Sequence, residues 1–105
     1  MQLTVGQTQD LIGRILEAVQ AQRIILFGST ARNEAGPDSD IDVLVVAPEG
    51  AHRRKTAQEI YRHLLGFGLP VDVIVAIPSD LEKYRDSFAL VYRAALREGR
   101  ELYAA

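Results

Sequence analysis

The sequence predicts an α/β (α+β) fold, a small mixed β-sheet covered by helices. Short aliphatic and β-branched segments bounded by Gly or Pro alternate with longer segments whose apolar residues recur at helical spacing. Strands that alternate with helices imply a sheet with helices packed on it. With 105 residues, the chain has the size of one domain, so residues 1–105 are expected to share a single core.

The first half of the chain predicts two helices and two strands. Apolar residues at helical spacing predict an amphipathic helix that starts near residue 8 or 9. These residues are Leu11, Ile12, Ile15, Leu16 and Val19. The segments Arg23–Phe27 and Ile41–Val46 predict buried strands, the first ended by Gly28 and the second by Pro48. Between them, residues 30–34 are expected to form a short helix before the loop AGPDS.

The second half predicts two further helices and one strand. Apolar residues on one face predict a long helix over 52–66, and the turn GFGLP separates it from a strand over 71–77. Ser79 with Glu82 three residues later matches a capping box, which predicts that a helix starts there. Helical spacing continues over 88–96 up to Gly99, and the final residues, RELYAA, are expected to be a short tail.

Composition and charge exclude several classes of protein. Hydrophobic residues make up 48% and charged residues 25% of the chain, which is typical of a folded domain. The net charge of −2 gives no reason to expect nonspecific nucleic-acid binding. The absence of cysteine excludes disulfides and a cysteine nucleophile. No segment has the apolar length of a membrane span, and the N-terminus lacks signal-peptide features, so a cytoplasmic location is expected.

Three aspartates are placed where strands are expected to carry them to one site. Asp40 and Asp42 stand two positions apart at the start of an apolar strand, so their side chains point to the same face. Asp72 lies within another apolar strand and reaches the same site if the two strands are neighbours. Carboxylates held close together repel each other, and a divalent cation bound between them removes the repulsion. Because hard oxygen ligands suit Mg²⁺, Asp40, Asp42 and Asp72 are the candidate catalytic and metal-binding residues.

A candidate phosphate-binding turn precedes these aspartates. Gly28 ends a strand and lets the backbone approach a ligand closely, and a following helix directs free N–H groups toward an anion. Ser29 adds a hydroxyl donor, and Arg32, one helical turn later, is placed to clamp phosphate oxygens. Gly28, Ser29 and Arg32 are therefore the candidate nucleotide-binding residues.

Two other interpretations compete with a catalytic metal site. Asp38, Asp40, Asp42 and Glu49 mimic the spacing of a calcium loop, but Val43 occupies the position where that loop needs glycine. Alternatively, the aspartates cap a loop by accepting hydrogen bonds from nearby amides, which explains one aspartate better than three beside a Gly-Ser pair.

The residues also resemble a known family. Gly28-Ser29, ten residues and then Asp40-Ile41-Asp42 resemble the GS-x10-DxD signature of the polymerase-β-like nucleotidyltransferase superfamily. The wider segment FGSTARNEAGPDSDIDVLV is similar to the minimal nucleotidyltransferases, often the antitoxin half of HEPN/minimal-nucleotidyltransferase modules. Asp72 in VDVIV matches that family's third carboxylate. The resemblance covers nearly the whole chain, including the ending REGRELY, and implies the nucleotidyltransferase (polymerase-β-like) fold.

This resemblance implies a Mg²⁺-dependent enzyme that transfers AMP from ATP. The ATP phosphates would lie over Gly28 and Ser29, with Mg²⁺ on Asp40 and Asp42. Asp72 would share a metal, orient the acceptor hydroxyl or take its proton. The hydroxyl would attack the α-phosphate and expel pyrophosphate. Family members of the antitoxin type adenylylate a tyrosine of their partner, an HEPN ribonuclease toxin, and so silence it.

Two other functions stay open at the level of sequence. In one, the chain neutralises an HEPN toxin by binding alone, and nucleotide binding is vestigial or structural. In the other, it modifies a small molecule such as an aminoglycoside; relatives of that kind usually carry an additional helical domain, for which 105 residues leave no room. Because little of the chain lies beyond the nucleotide-binding fold, substrate specificity is expected to come from a partner protein or a homo- or hetero-oligomer.

Overall fold

The computed structural model describes residues 3–28, 40–84 and 97–105. Seven elements follow one another along these residues. They are α1 (Val5–Ala18), β1 (Arg23–Phe27), β2 (Ile41–Val46), α2 (Arg53–His63), β3 (Val71–Ala76), α3 (Pro78–Tyr84) and β4 (Arg100–Ala104). The helix expected over 30–34 and the helical spacing over 88–96 lie outside the described residues, as do Ser29 and Arg32. None of the helices described here combines the length and apolarity needed to cross a membrane.

The described strands form one mixed sheet in the order β3-β2-β1-β4. β2 and β3 are parallel, whereas β1 is antiparallel to both of its neighbours, β2 and β4. A parallel pair needs a crossover connection, and α2 supplies it between β2 and β3. The predicted fold class, a mixed sheet covered by helices, is confirmed.

One face of the sheet carries the main hydrophobic core, beneath α1 and α2. The helices contribute Leu11, Ile15 and Ile60, and none of these side chains is exposed to solvent. The strand residues of this core are Ile24, Leu26, Ile41, Val43, Val45, Val73 and Val75. They alternate along their strands, as expected when one face of each strand packs under helices. Burial of this apolar surface is the main stabilising contribution to the fold.

The opposite face carries a smaller apolar core. Its buried residues are Ile25, Phe27, Leu44 and Ala76, with Ile74 and Leu81 packed against them. Leu81 belongs to α3, which follows β3 after one residue. Polar residues of this face begin where β2 and β3 begin, at Asp42 and Asp72. The candidate site is therefore at the border of the smaller core.

The end of the chain is a strand and not the expected short tail. β4 pairs with β1, with a register shift between Ile24 and Ile25, and Arg23 Nε lies 2.6 Å from Glu101 Oε2 across the pair. Leu102 and Tyr103 pack against the main core. The prediction of a tail was wrong because a five-residue segment with two charges carries little strand signal, and β1 supplies the pairing that makes it a strand.

α1 begins earlier than the apolar spacing predicted. It starts at Val5 and not near residue 8 or 9, because Thr4 and Gln7 form a capping box. Thr4 Oγ1 accepts a hydrogen bond from the Gln7 N–H at 3.0 Å, and Gln7 Oε1 accepts one from the Thr4 N–H at 2.9 Å. The reciprocal pair satisfies two backbone donors and extends the helix beyond its apolar stripe.

α3 begins one residue before the predicted capping residue. It starts at Pro78, so Ser79 lies inside the helix, and the predicted capping box with Glu82 was wrong. Ser79 instead donates from its N–H and its hydroxyl to the Glu49 carboxylate, at 2.6 and 3.2 Å. α2 is also shorter than expected, ending at His63.

Candidate functional site

The register of β2 and β3 brings two of the predicted site residues together. Asp42 and Asp72 are directly paired across the parallel strands, so both side chains point to the same face from strands about 4.8 Å apart. Phe27 of β1 pairs with Asp42 from the other side, which puts both carboxylates on the face of the smaller core. The prediction depended on neighbouring strands with their aspartates on one face, and this arrangement is present.

Asp40 adds a third negative charge at the start of β2. Asp42 is partly buried, whereas Asp40 and Asp72 are exposed. Burial raises the pKa of the Asp42 carboxyl above its ordinary value, and the negative charges of Asp72 and then Asp40 raise it further. Asp42 is therefore within electrostatic reach of both other aspartates. Its ionised form is disfavoured until a positive charge is supplied.

Gly28 lies directly against the Asp42 carboxylate. The glycine has a positive φ of 73°, which residues other than glycine rarely adopt. A Cβ built on Gly28 would lie 2.5 Å from Asp42 Oδ2, well inside van der Waals contact. The missing side chain thus lets the turn after β1 approach the carboxylates. The predicted proximity of Gly28 to the acidic residues is present, and the predicted roles of Ser29 and Arg32 stay predictions.

The carboxylates fit a hard divalent cation such as Mg²⁺. Within residues 3–28, 40–84 and 97–105, no three His, Cys, Asp or Glu side chains are arranged to hold a metal ion by themselves. Mg²⁺ usually takes only one or two protein carboxylates and completes its coordination with water and substrate phosphates. Asp42 with a neighbouring aspartate provides that number. Burial first, and the charges of Asp72 and Asp40 after it, raise the pKa of Asp42, and a cation bound there would offset both effects.

Sequence analysis did not single out a fourth aspartate, Asp80, which the structure buries close to the end of β3. Its side chain accepts two hydrogen bonds from Arg53, Nε to Oδ2 and Nη2 to Oδ1, both at 2.7 Å. Asp80 Oδ2 also accepts from the Ile77 N–H at 3.1 Å. The signal was an acid in the first turn of a helix after Pro78, a position that favours negative charge. Asp80 joins α2 to α3 and is a structural residue.

A family model described as a nucleotidyltransferase domain matches residues 10–100 of the chain. The match covers both strands that carry the aspartates and most of the described core. No curated protein matches the chain in sequence.

Several solved structures share the fold. A chain from a toxin-antitoxin complex with AMP-PNP superimposes with a TM-score of 0.71 at 19% identity, covering 93% of this chain and 73% of that one. A putative nucleotidyltransferase from Sulfolobus solfataricus gives 0.65 at 17% identity, over 94% and 78%. A chain from the Shewanella oneidensis complex of a tri-AMPylated HEPN toxin with an MNT antitoxin gives 0.63 at 18% identity, over 94% and 71%.

At these identities the solved structures establish the fold, and the family model establishes the relationship. The motif resemblance to nucleotidyltransferases is confirmed by the family model. The residues that the family model matches include Gly28 and all three aspartates of the site. The chain belongs to the nucleotidyltransferase domain family.

Proposed function

We propose that the chain is a Mg²⁺-dependent adenylyltransferase that transfers AMP from ATP to a tyrosine hydroxyl of a partner HEPN toxin, and so acts as an antitoxin. The observation that carries the proposal is the pairing of Asp42 with Asp72 on one face of the sheet, with Asp40 within electrostatic reach and Gly28 against the Asp42 carboxylate. Family membership makes nucleotidyl transfer the expected reaction class.

Each described site residue has a chemical role in this reaction. Asp40 and Asp42 would hold Mg²⁺, which when bound neutralises phosphate charge and polarises the α-phosphate. Gly28 leaves room for the nucleotide phosphates to lie against the backbone. Asp72 would share the metal, orient the acceptor hydroxyl or take its proton.

The bonds that change are the same for each role of Asp72. The acceptor oxygen forms a bond to the α-phosphorus, and the bond from that phosphorus to the oxygen bridging the β-phosphate breaks. Pyrophosphate leaves, and the hydroxyl proton passes to a carboxylate or to water. The products are AMP on the acceptor and free pyrophosphate.

The partner in this proposal comes from the solved structures of similar fold. One contains an AMPylated HEPN toxin together with an MNT antitoxin, and another toxin-antitoxin complex contains an ATP analogue. The first complex contains the product of AMP transfer to an HEPN protein, and the second contains an analogue of the proposed AMP donor. The first complex supports an HEPN protein as acceptor, and we expect one to be encoded beside the gene for this chain.

Label transfer tests the proposal. The chain is incubated with Mg²⁺, [α-³²P]ATP and the HEPN protein encoded beside it, and labelled protein is measured after electrophoresis. Label should appear on the HEPN protein, disappear when Mg²⁺ is chelated, and fall at least about 100-fold in Asp42→Asn. Asp10→Asn is the matched control, because Asp10 is an exposed aspartate of α1 paired with Arg14. Normal transfer by Asp42→Asn would contradict the mechanism.

The same variant separates catalysis from neutralisation by binding. If Asp42→Asn loses transfer but still protects cells that express the toxin, and the complex remains intact, the chain neutralises its partner by binding alone. If protection and transfer are lost together while the complex persists, catalysis is the means of neutralisation.

A further inference from the structure

We infer that Tyr61 is a positioning residue for Asp72, acting through the backbone of β3 from the opposite side of the sheet. This inference rests on the proposed function, because it assigns Tyr61 a part in setting up the reaction site. The observation behind it is one hydrogen bond, in which the Val73 N–H donates to Tyr61 Oη at 2.8 Å. Val73 is the residue that directly follows Asp72.

β3 needs an outside restraint because it is an end strand of the sheet. Its inner edge pairs with β2, and among residues 3–28, 40–84 and 97–105 no strand pairs with its outer edge. The Val73 N–H belongs to that outer edge. Within the described part of the chain, Tyr61 supplies the side-chain acceptor for it.

The segment that leads into β3 gives Asp72 little rigidity from its own sequence. It contains Gly66 and Gly68, both with positive φ, of 86° and 92°. One backbone hydrogen bond, from the Ile41 N–H to the Pro70 carbonyl at 2.9 Å, ties the end of this segment to β2. Asp72 is the second residue of the strand. The Tyr61 contact therefore acts near the start of β3, where the hydrogen bonds between β3 and β2 begin to restrain the backbone.

Tyr61 is itself held by the packing of α2. Ile60, the preceding residue, is fully buried in the main core. Arg14 of α1 donates from Nη1 to the carbonyls of His63 and Leu65, at 2.9 and 2.8 Å, which fixes the end of α2. Tyr61 as a whole residue is 41% exposed and lines an open groove of about 500 Å³. Because α2 is fixed in this way, the Tyr61 hydroxyl that it carries can set the position of β3 through the Val73 N–H.

The position of Asp72 matters because of its register with Asp42. The two residues are directly paired across the parallel strands, with both side chains on the same face of the sheet. A carboxylate that shares a metal or orients a hydroxyl has to be held closely, since displacements of about 1 Å lower rates by orders of magnitude. Tyr61 does not touch the reacting groups, and it positions one that does.

The test compares Tyr61→Phe with Tyr103→Phe. The first removes the acceptor and keeps the ring. The second removes a hydroxyl from β4, at the other end of the sheet, whose ring packs against the same core. Exchange of the Val73 amide hydrogen, followed by NMR, should quicken about tenfold in Tyr61→Phe and stay unchanged in Tyr103→Phe. In label transfer, Tyr61→Phe should lower kcat about tenfold with KM for ATP changed less than about twofold.

A double-mutant cycle distinguishes positioning from general stabilisation. In an Asp72→Asn background, Tyr61→Phe should lower kcat no further, because the group it positions is already gone. An equal loss in both backgrounds, unchanged Val73 exchange, or unchanged kcat in an active wild type overturns the inference. If the wild type transfers no label to its partner while its Val73 amide is protected, the proposed function fails, and the assignment of Tyr61 to catalysis fails with it.

Discussion

Asp80 is buried and Asp42 is partly buried, and the two carboxylates differ in how their charge is compensated. Asp80, only 6% exposed, is held by Arg53 and the Ile77 N–H. The hydrogen bond from Arg53 above all, with that from Ile77, lowers the pKa of Asp80 despite its burial. Asp42 has burial and like charges around it, and its pKa is raised. A compensated carboxylate stabilises the fold, whereas an uncompensated one is expected where a ligand brings the positive charge.

The largest expected effect is on catalysis, and it should separate the two aspartates completely. Asp42→Asn should lower label transfer at least about 100-fold, because the cation that binds the nucleotide phosphates loses a carboxylate ligand. Asp80→Asn should stay within about fivefold of the wild type when assayed well below its midpoint of unfolding, because Asp80 lies outside the site. Equal losses of label transfer in the two variants would contradict the assignment of Asp42 to catalysis and Asp80 to structure.

The next effect concerns the glycine that faces Asp42. Gly28→Ala should cost about 2–3 kcal/mol of unfolding free energy, because it combines a positive φ with a Cβ 2.5 Å from Asp42 Oδ2. Gly50→Ala is the matched control, since Gly50 has a φ of 87° but nothing within 4 Å of the added Cβ. It should cost about 1 kcal/mol, for the backbone alone.

Label transfer sharpens this comparison of glycines. Gly28→Ala should lower transfer at least about tenfold because the added methyl group displaces the Asp42 carboxylate, and Gly50→Ala should leave transfer unchanged. Urea unfolding gives the stabilities. If the two variants lose equal stability and equal activity, the contact between Gly28 and Asp42 has no role.

Asp80 should show its importance in stability alone. Asp80→Ala removes two hydrogen bonds to Arg53 and one to the Ile77 N–H, and should cost about 2 kcal/mol in urea unfolding. The loss is moderate because the Arg53 side chain is 53% exposed and can turn to water. Glu82→Ala, an exposed acid of the same helix, is the control and should change stability by less than about 0.5 kcal/mol.

The strands and the acidic site could be predicted from sequence because their signals are local. Aliphatic segments between Gly and Pro residues gave β1, β2 and β3 within one residue of their ends. The i, i+2 spacing of Asp40 and Asp42 predicts a common face; Asp42 lies in β2, and Asp40 directly precedes its first residue, Ile41. The direct pairing of Asp42 with Asp72 could not be predicted, because register depends on how two distant strands pack under the same helices.

The features that sequence analysis missed depend on contacts between distant residues. β4 is a strand because β1 offers an edge to pair with. Arg53 pairs with Asp80, 27 positions away, and nothing in the local sequence indicates this contact. The Tyr61 contact with β3 was also invisible, since helical spacing alone puts that residue at the edge of a core. In each case the partner is known only once the sheet is assembled.

The smallest expected effect is the decrease in unfolding free energy that ionisation of Asp42 causes. Because its folded pKa is raised, Asp42 favours the folded state below its ordinary value of 3.8, and this contribution is lost as pH rises through the raised pKa. Asp42→Asn should therefore be more stable than the wild type at pH 7, by no more than about 1 kcal/mol, and the gap should close as pH falls to 3.8 and below.

Asp80 should give the opposite dependence on pH. Its lowered pKa means that its contribution is present above 3.8 and is lost as pH falls through the folded value. Urea unfolding of wild type, Asp42→Asn and Asp80→Asn between pH 3 and 7 measures both slopes. Mg²⁺ should remove the advantage of Asp42→Asn at pH 7, because it stabilises only the chain that keeps its carboxylate. An advantage that persists at saturating Mg²⁺ would show that the acidic site does not bind the cation.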